Sequence, residues 1–173
     1  MQSKFSIRGH PFHPILVTLP IGLFVWTFAA DIAYLATDKN KMWYDISLYS
    51  GAAAVLTALV AALPGFGDYF TMALKSRIAA MATAHMLLNL ATVGIFSAAY
   101  LVQMDNGALT GSNLTLLVAL HAVGIGLLSL SGVLGGEMVY RHHLAIVPSE
   151  GEAAAEHAQI EREVRRREHP VPR

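Results

Sequence analysis

The chain has 173 residues, 54% of them hydrophobic and only 14% charged, with a formal net charge of zero. Soluble domains carry about 25% charged residues, so the shortfall points to a membrane protein, and the neutral balance gives nucleic-acid binding no electrostatic support. Cysteine is absent, which excludes disulfides, a CxxCH haem attachment, cysteine-held iron–sulfur clusters and thiol chemistry.

The chain enters its first apolar run through "GHPFHPILVTLP", Gly9 to Pro20. Residues preceding proline are pushed towards extended backbone, so "HPFHP" reads as a stiff lead-in that aims His10 and His13. Pro14 suits a first helical turn, and Pro20 is expected to kink the helix that follows. That helix spans about 15–37. Its apolar stretch exceeds a signal-peptide core and reads as an uncleaved membrane helix. Asp31 lies near its far end. Trp26 is too deep for an interfacial belt and is expected to pack.

A polar turn, "TDKNKMW", precedes a second span at about 44–63, with Trp43, Tyr44 and Tyr49 as an outer aromatic belt. "PGFGDYF" reads as the start of the next connection. There Asp68 is expected to pair with Arg77 or Lys75. The third span, about 78–102, carries His85 and Asn89 one turn apart. The fourth, about 114–140, carries His121, a glycine-rich half and Glu137, four residues before Arg141. His142 and His143 follow. A GxxxG at Gly132 and Gly136 normally serves close helix packing, and could also make room for a flat macrocycle. From Ser149 onward "SEGEAAAEHAQIEREVRRREHPVPR" is a charged tail whose middle can form a helix.

The expected fold is therefore all-α: an integral-membrane four-helix bundle over residues 1–148, with a charged cytoplasmic tail over 149–173. Lys4, Arg8, Lys75, Arg77 and Arg141 fall on one side and Lys39 and Lys41 on the other. That asymmetry puts both termini in the cytoplasm. No internal repeat is evident.

Intramembrane histidines mark function by default. His85 and His121 lie at depths close enough that antiparallel neighbours could present both to one cavity as axial ligands of a haem. Asn89 could orient His85. His10, His13 and His142 form a second candidate set at the cytoplasmic entrance. His85 and His121 could instead only bond a neighbouring helix, and His10 and His13 could be interface anchors that reach headgroups. The reading is a small membrane electron-transfer protein with noncovalent b-type haem. The alternatives are a non-redox structural or assembly subunit, and a histidine metal-binding membrane protein. Transport is disfavoured because the second span has no charged group at depth. An enzyme is least supported, since no nucleophile–base constellation appears.

"GHPFHPILVTLPIGLFVWTFAADI", "AHMLLNL" and "GGEMVYRHHLAIV" together resemble the bacterial membrane family catalogued as domain of unknown function number 2231. The resemblance covers about Arg8 to Val147. It implies a four-helix inner-membrane protein whose motif residues fall on His10, His13, His85, Glu137 and His142, with His121 outside them. Family members fused to Rieske-type iron–sulfur domains imply electron transfer. They also imply a redox partner such as a Rieske-type protein or a respiratory complex. The partners are otherwise the lipid bilayer and, as an open alternative, further copies of the chain.

Overall fold

The computed structural model describes residues 3–72, 74, 76–106, 111–144 and 150–168. An antiparallel ribbon of β1 (Ser6–Ile7) and β2 (His10–Pro11) opens the fold. Arg8 and Gly9 turn it with φ of 51° and 80°, the left-handed pair that a two-residue hairpin of this twist needs. A single-turn helix α1 (Phe12–Leu16) and then α2 (Thr18–Ala36) follow. Next come α3 (Lys41–Thr71), α4 (Ser76–Asn106), α5 (Gly111–Tyr140) and α6 (Glu150–Glu168). Among the described residues four segments are long and apolar enough to cross a membrane: Phe12–Ala36, Lys41–Thr71, Ser76–Met104 and Gly111–Tyr140. The chain is thus an all-α membrane bundle, with α1 and the end of α5 at one face and the Lys39 loop at the other. The tail boundary near 148 lies outside the described residues.

The prolines act where their chemistry predicts, with two corrections. Pro20 cannot donate to the carbonyl of Leu16, and its ring crowds that carbonyl. The helix accordingly breaks at Val17, between α1 and α2, and the Thr18 hydroxyl donates to the Ile15 carbonyl (2.7 Å). "HPFHP" is extended only through Pro11; His13 already lies within α1. Pro14 is tolerated there because the first backbone donors of a helix have no intrahelical acceptor. The second correction is at Pro64. The helix expected to stop near Leu63 runs on to Thr71 with Pro64 inside it. In lipid an unravelled backbone costs more than one missing hydrogen bond, so the helix continues.

α2 packs on α3 and α4 on α5, and weaker seams between α3 and α4 and between α2 and α5 close the bundle. The two helical hairpins bury equivalent positions. On α3 the buried residues are Tyr44, Ser47, Gly51, Ala54, Ala61 and Asp68. On α5, 70 positions later, they are Leu114, Leu117, His121, Gly124, Ser131 and Met138. Pro20, Phe24, Thr27 and Asp31 of α2 correspond, 72 positions later, to Thr92, Phe96, Ala99 and Gln103 of α4, all buried. Equivalent residues meet across the bundle. The rings of Phe24 and Phe96 are 4.3 Å apart, and those of His13 and His85 are 6.2 Å apart. The fold is a tandem repeat about a pseudo-two-fold axis running along the helices, a relation the sequence reading did not detect.

Side chains stack in layers along that axis. At the Lys39 end Tyr34, Tyr44, Ala99, Leu114 and Leu117 form one cluster. Tyr44 is buried there rather than exposed in a belt. Its hydroxyl donates to the Gln103 carbonyl (2.6 Å), and the Gln103 amide donates to the Tyr44 carbonyl (3.2 Å). Tyr49 faces outward, as expected. Trp26 is half exposed on the lipid side with its edge towards Trp43, instead of packed inside. Below lies a polar layer of Asp31, Ser47 and His121, then an apolar layer of Phe24, Ala54 and Phe96. The histidine layer follows.

Candidate functional site: a histidine pair on the pseudo-two-fold axis

His13 and His85 face one another edge to face with their planes at 90°. Each is seated by the other helix of its own hairpin, and the two seats are alike. The His13 Nδ1–H donates to the Ala61 carbonyl (2.8 Å), and the His85 Nδ1–H to the Ser131 carbonyl (2.8 Å). A carbonyl only accepts, so both rings carry their proton on Nδ1, which leaves Nε2 with its lone pair. Four residues after each carbonyl stands a glycine. A Cβ on Gly65 would lie 2.7 Å from His13 Nδ1, and one on Gly135 would lie 3.0 Å from His85 Cε1. These glycines seat the imidazoles themselves. Gly132, half of the GxxxG, has open space beside it, while a Cβ on Gly136 would meet only its own helix's Tyr140. Neither lines the histidine layer.

Further contacts fix His85. The Ser131 hydroxyl lies 2.9 Å from His85 Nδ1 and donates to the His85 carbonyl (3.2 Å). The Asn89 amide donates to His85 Nε2 (3.1 Å) and to the His85 carbonyl (3.0 Å). Asn89 thus does reach His85, through the nitrogen that a metal would use.

The terminal segment closes this end of the bundle. The Ser3 hydroxyl lies 2.7 Å from both carboxylate oxygens of Asp68, and the Phe12 N–H donates to the Phe5 carbonyl (2.9 Å). Phe5 occupies the space that a side chain at Gly67 would need. Asp68 therefore holds the terminal segment rather than Arg77; Lys75 lies outside the described residues.

The remaining candidates are dispersed. His10 is exposed, its Nδ1 bonded to the Arg8 carbonyl. Glu137 forms an ion pair with Arg141, the first residue beyond α5 (2.5 Å). His142 is half buried just beyond α5, and its backbone N–H caps the Glu137 carbonyl. His121 stacks on Phe96, eleven residues along α4 from His85, which is about 16 Å of helix axis. His85 and His121 are therefore not level and do not share a cavity; the ring beside His85 is His13. Among the described residues no three of histidine, cysteine, aspartate or glutamate converge as a metal group. Any centre here would rest on two imidazoles.

No curated protein and no solved structure matches the chain. The arrangement of four apolar crossings bracketed by "GHPFHP" and "GGEMVYRHH" lies within residues 9–148, which match the family model described as predicted membrane protein DUF2231, and the chain belongs to that family.

Proposed function

We propose that this protein is a small membrane electron-transfer protein that holds b-type haem between His13 and His85. The observation that carries the reading is the pair itself: two pseudo-symmetric imidazoles, each with Nδ1 tied to a backbone carbonyl and each set against a glycine. Tying Nδ1 to an acceptor orients a metal-binding imidazole and raises its basicity. The two rings stand close, with centroids 6.2 Å apart, so that His13 and His85 would hold the group together. Two protein ligands suffice for haem, because the porphyrin supplies the other four donors. Bound haem would supply one-electron redox chemistry. The protein's part would be to fix the imidazoles, with the apolar layer of Phe24 and Phe96 on one side and the polar Ser3–Asp68 closure on the other. The Asn89 amide must turn away from His85 Nε2 for that nitrogen to bind. His10, His121, Glu137 and His142 are not part of this proposed centre.

The charge asymmetry supports cytoplasmic termini in a bacterial inner membrane. A redox partner, such as a Rieske-type protein or a respiratory complex, would approach at the end where the histidine pair lies.

The Asn89 contact favours a second reading, in which the histidines only bond helices and the protein is a structural or assembly subunit. An absorption spectrum of protein purified from haem-replete cells separates the two. The electron-transfer reading expects a low-spin spectrum, extraction of the pigment by acid acetone, and loss of the low-spin bands in both His13→Ala and His85→Ala. Colourless wild-type protein, or unchanged bands in both variants, refutes haem ligation by this pair.

A further inference from the structure

The polar layer holds a buried ionisable pair that the histidine centre does not use. Asp31 of α2 is 1% exposed and His121 of α5 is 2% exposed. His121 Nδ1 lies 2.5 Å from Asp31 Oδ2, and the Ser47 hydroxyl of α3 donates to Asp31 Oδ1 (2.5 Å). Phe96 of α4 stacks on the imidazole at 4.5 Å. All four crossing helices thus contribute to one enclosed site.

The pseudo-symmetry supplies an internal control. The position equivalent to Asp31 is Gln103, and the position equivalent to His121 is Gly51. The equivalent layer in the other half holds no acid and no base. Gln103 bonds backbone instead, and the space beside Gly51 is taken by Thr27, whose methyl group would lie 3.4 Å from an added Cβ. The fold therefore closes at this depth without an ion pair. Replacing buried ion pairs with well-packed apolar residues is often neutral or stabilising, so packing alone does not account for an acid and a base here.

An aspartate anion beside a neutral imidazole leaves one net negative charge inside the bundle, a costly state in lipid. One further proton removes that charge. We propose that the Asp31–His121 pair is a proton-binding site within the membrane, which takes up and releases this one proton while the Ser47 hydroxyl holds the carboxylate. The step is a proton transfer alone: the pair passes between a net neutral and a net anionic form, and the proton is exchanged with water. Among the described residues, the other ionisable groups towards the Lys39 end are Tyr34 on α2, Asp38 and Lys39 in the loop, Lys41, Tyr44, Asp45 and Tyr49 on α3, and Tyr100 on α4. Asp45 is engaged by Lys41 (2.6 Å). α4 presents Phe96 and Gln103 to this region. Phe24, Ala54 and Phe96 separate the pair from His13 and His85, so the proposal does not rest on a cofactor there.

The test is a pH titration of full-length, histidine-15N-labelled protein in detergent, following the side-chain nitrogen resonances of His121 between about pH 4 and 10. His121→Gln assigns the signals. The expected result is a one-proton step in the wild type that disappears in Asp31→Asn and persists in Gln103→Leu, the pseudo-equivalent substitution. No step in the wild type, or an unaltered step in Asp31→Asn, overturns the proposal. Should Asp31→Asn fail to fold, Ser47→Ala serves, since it removes the hydroxyl donor from the carboxylate and should move the midpoint. An unmoved midpoint in Ser47→Ala then overturns the proposal.

Discussion

Gly65→Ala tests whether the histidine seat is as tight as it looks. The added Cβ would lie 2.7 Å from His13 Nδ1 and 2.9 Å from Cε1, closer than carbon and nitrogen approach without displacement. The ring must retreat, and the bond that it donates to the Ala61 carbonyl lengthens or breaks. Losing that bond costs about 0.5–1.5 kcal/mol, and overpacking costs about 1–3 kcal/mol. Replacing a helical glycine by alanine returns about 0.5–1 kcal/mol. The net expectation is a destabilisation of about 0.5–4 kcal/mol, measured by denaturant unfolding in detergent with circular dichroism. Gly22→Ala is the matched control, since nothing lies within 4 Å of its added Cβ. It should be neutral or slightly stabilising. Gly135→Ala, with its closest approach at 3.0 Å, should fall between the two. If Gly65→Ala unfolds at the same denaturant concentration as Gly22→Ala, the seat has slack and the argument from ring placement fails.

Removing one partner of the buried pair, as in Asp31→Ala, should cost about 3–5 kcal/mol, whereas the joint change Asp31→Leu with His121→Leu should cost less than the sum of the single changes. Additive losses would mean that the two residues are not coupled. Tyr44→Phe deletes one donor from a reciprocal buried contact and should lower stability by about 1 kcal/mol, read from the same unfolding curves. Ser3→Ala releases Asp68 from the terminal segment, and amide exchange at Phe12 should quicken while the interior of α3 stays protected; equal protection in both proteins would show that the segment is held by other means. Reporter fusions at Asn40 and after Gly107 should both report the side opposite to the termini, and a split result would contradict four crossings.

The four crossings were legible because bilayer-length apolar runs are a strong one-dimensional signal. Their ends were less so. Pro64 reads as a terminator by the rules that hold in water, whereas lipid keeps this segment helical. The repeat was hidden for a different reason. Aligned positions share few identities, among them His13/His85, Gly22/Gly94, Phe24/Phe96 and Gly65/Gly135. Burial is matched instead by unlike residues such as Tyr44 and Leu114, because lipid exposure constrains apolarity and size more than identity. His85 and His13 were both legible as candidates, one by depth and one by its proline-framed entry. Their pairing was not, because depth counted along separate helices carries an error of several residues. That error also brought His121 level with His85. The Asp31–His121 contact is not legible for a related reason: position along the chain places Asp31 near a helix end, whereas the helix face it occupies decides its setting.

The tandem architecture also bears on how the protein is made. Each histidine is bonded within its own half, His13 to Ala61 and His85 to Ser131, so each hairpin can arrange its imidazole soon after it enters the bilayer. The two rings come together only when the second hairpin settles against the first. The Asp31–His121 bond crosses that same boundary. Between the two insertion events, the first hairpin carries an aspartate whose basic partner has not yet been synthesised. At that stage the Ser47 hydroxyl of the same hairpin is the bond left to the carboxylate, and His121 completes the site only when the second hairpin arrives.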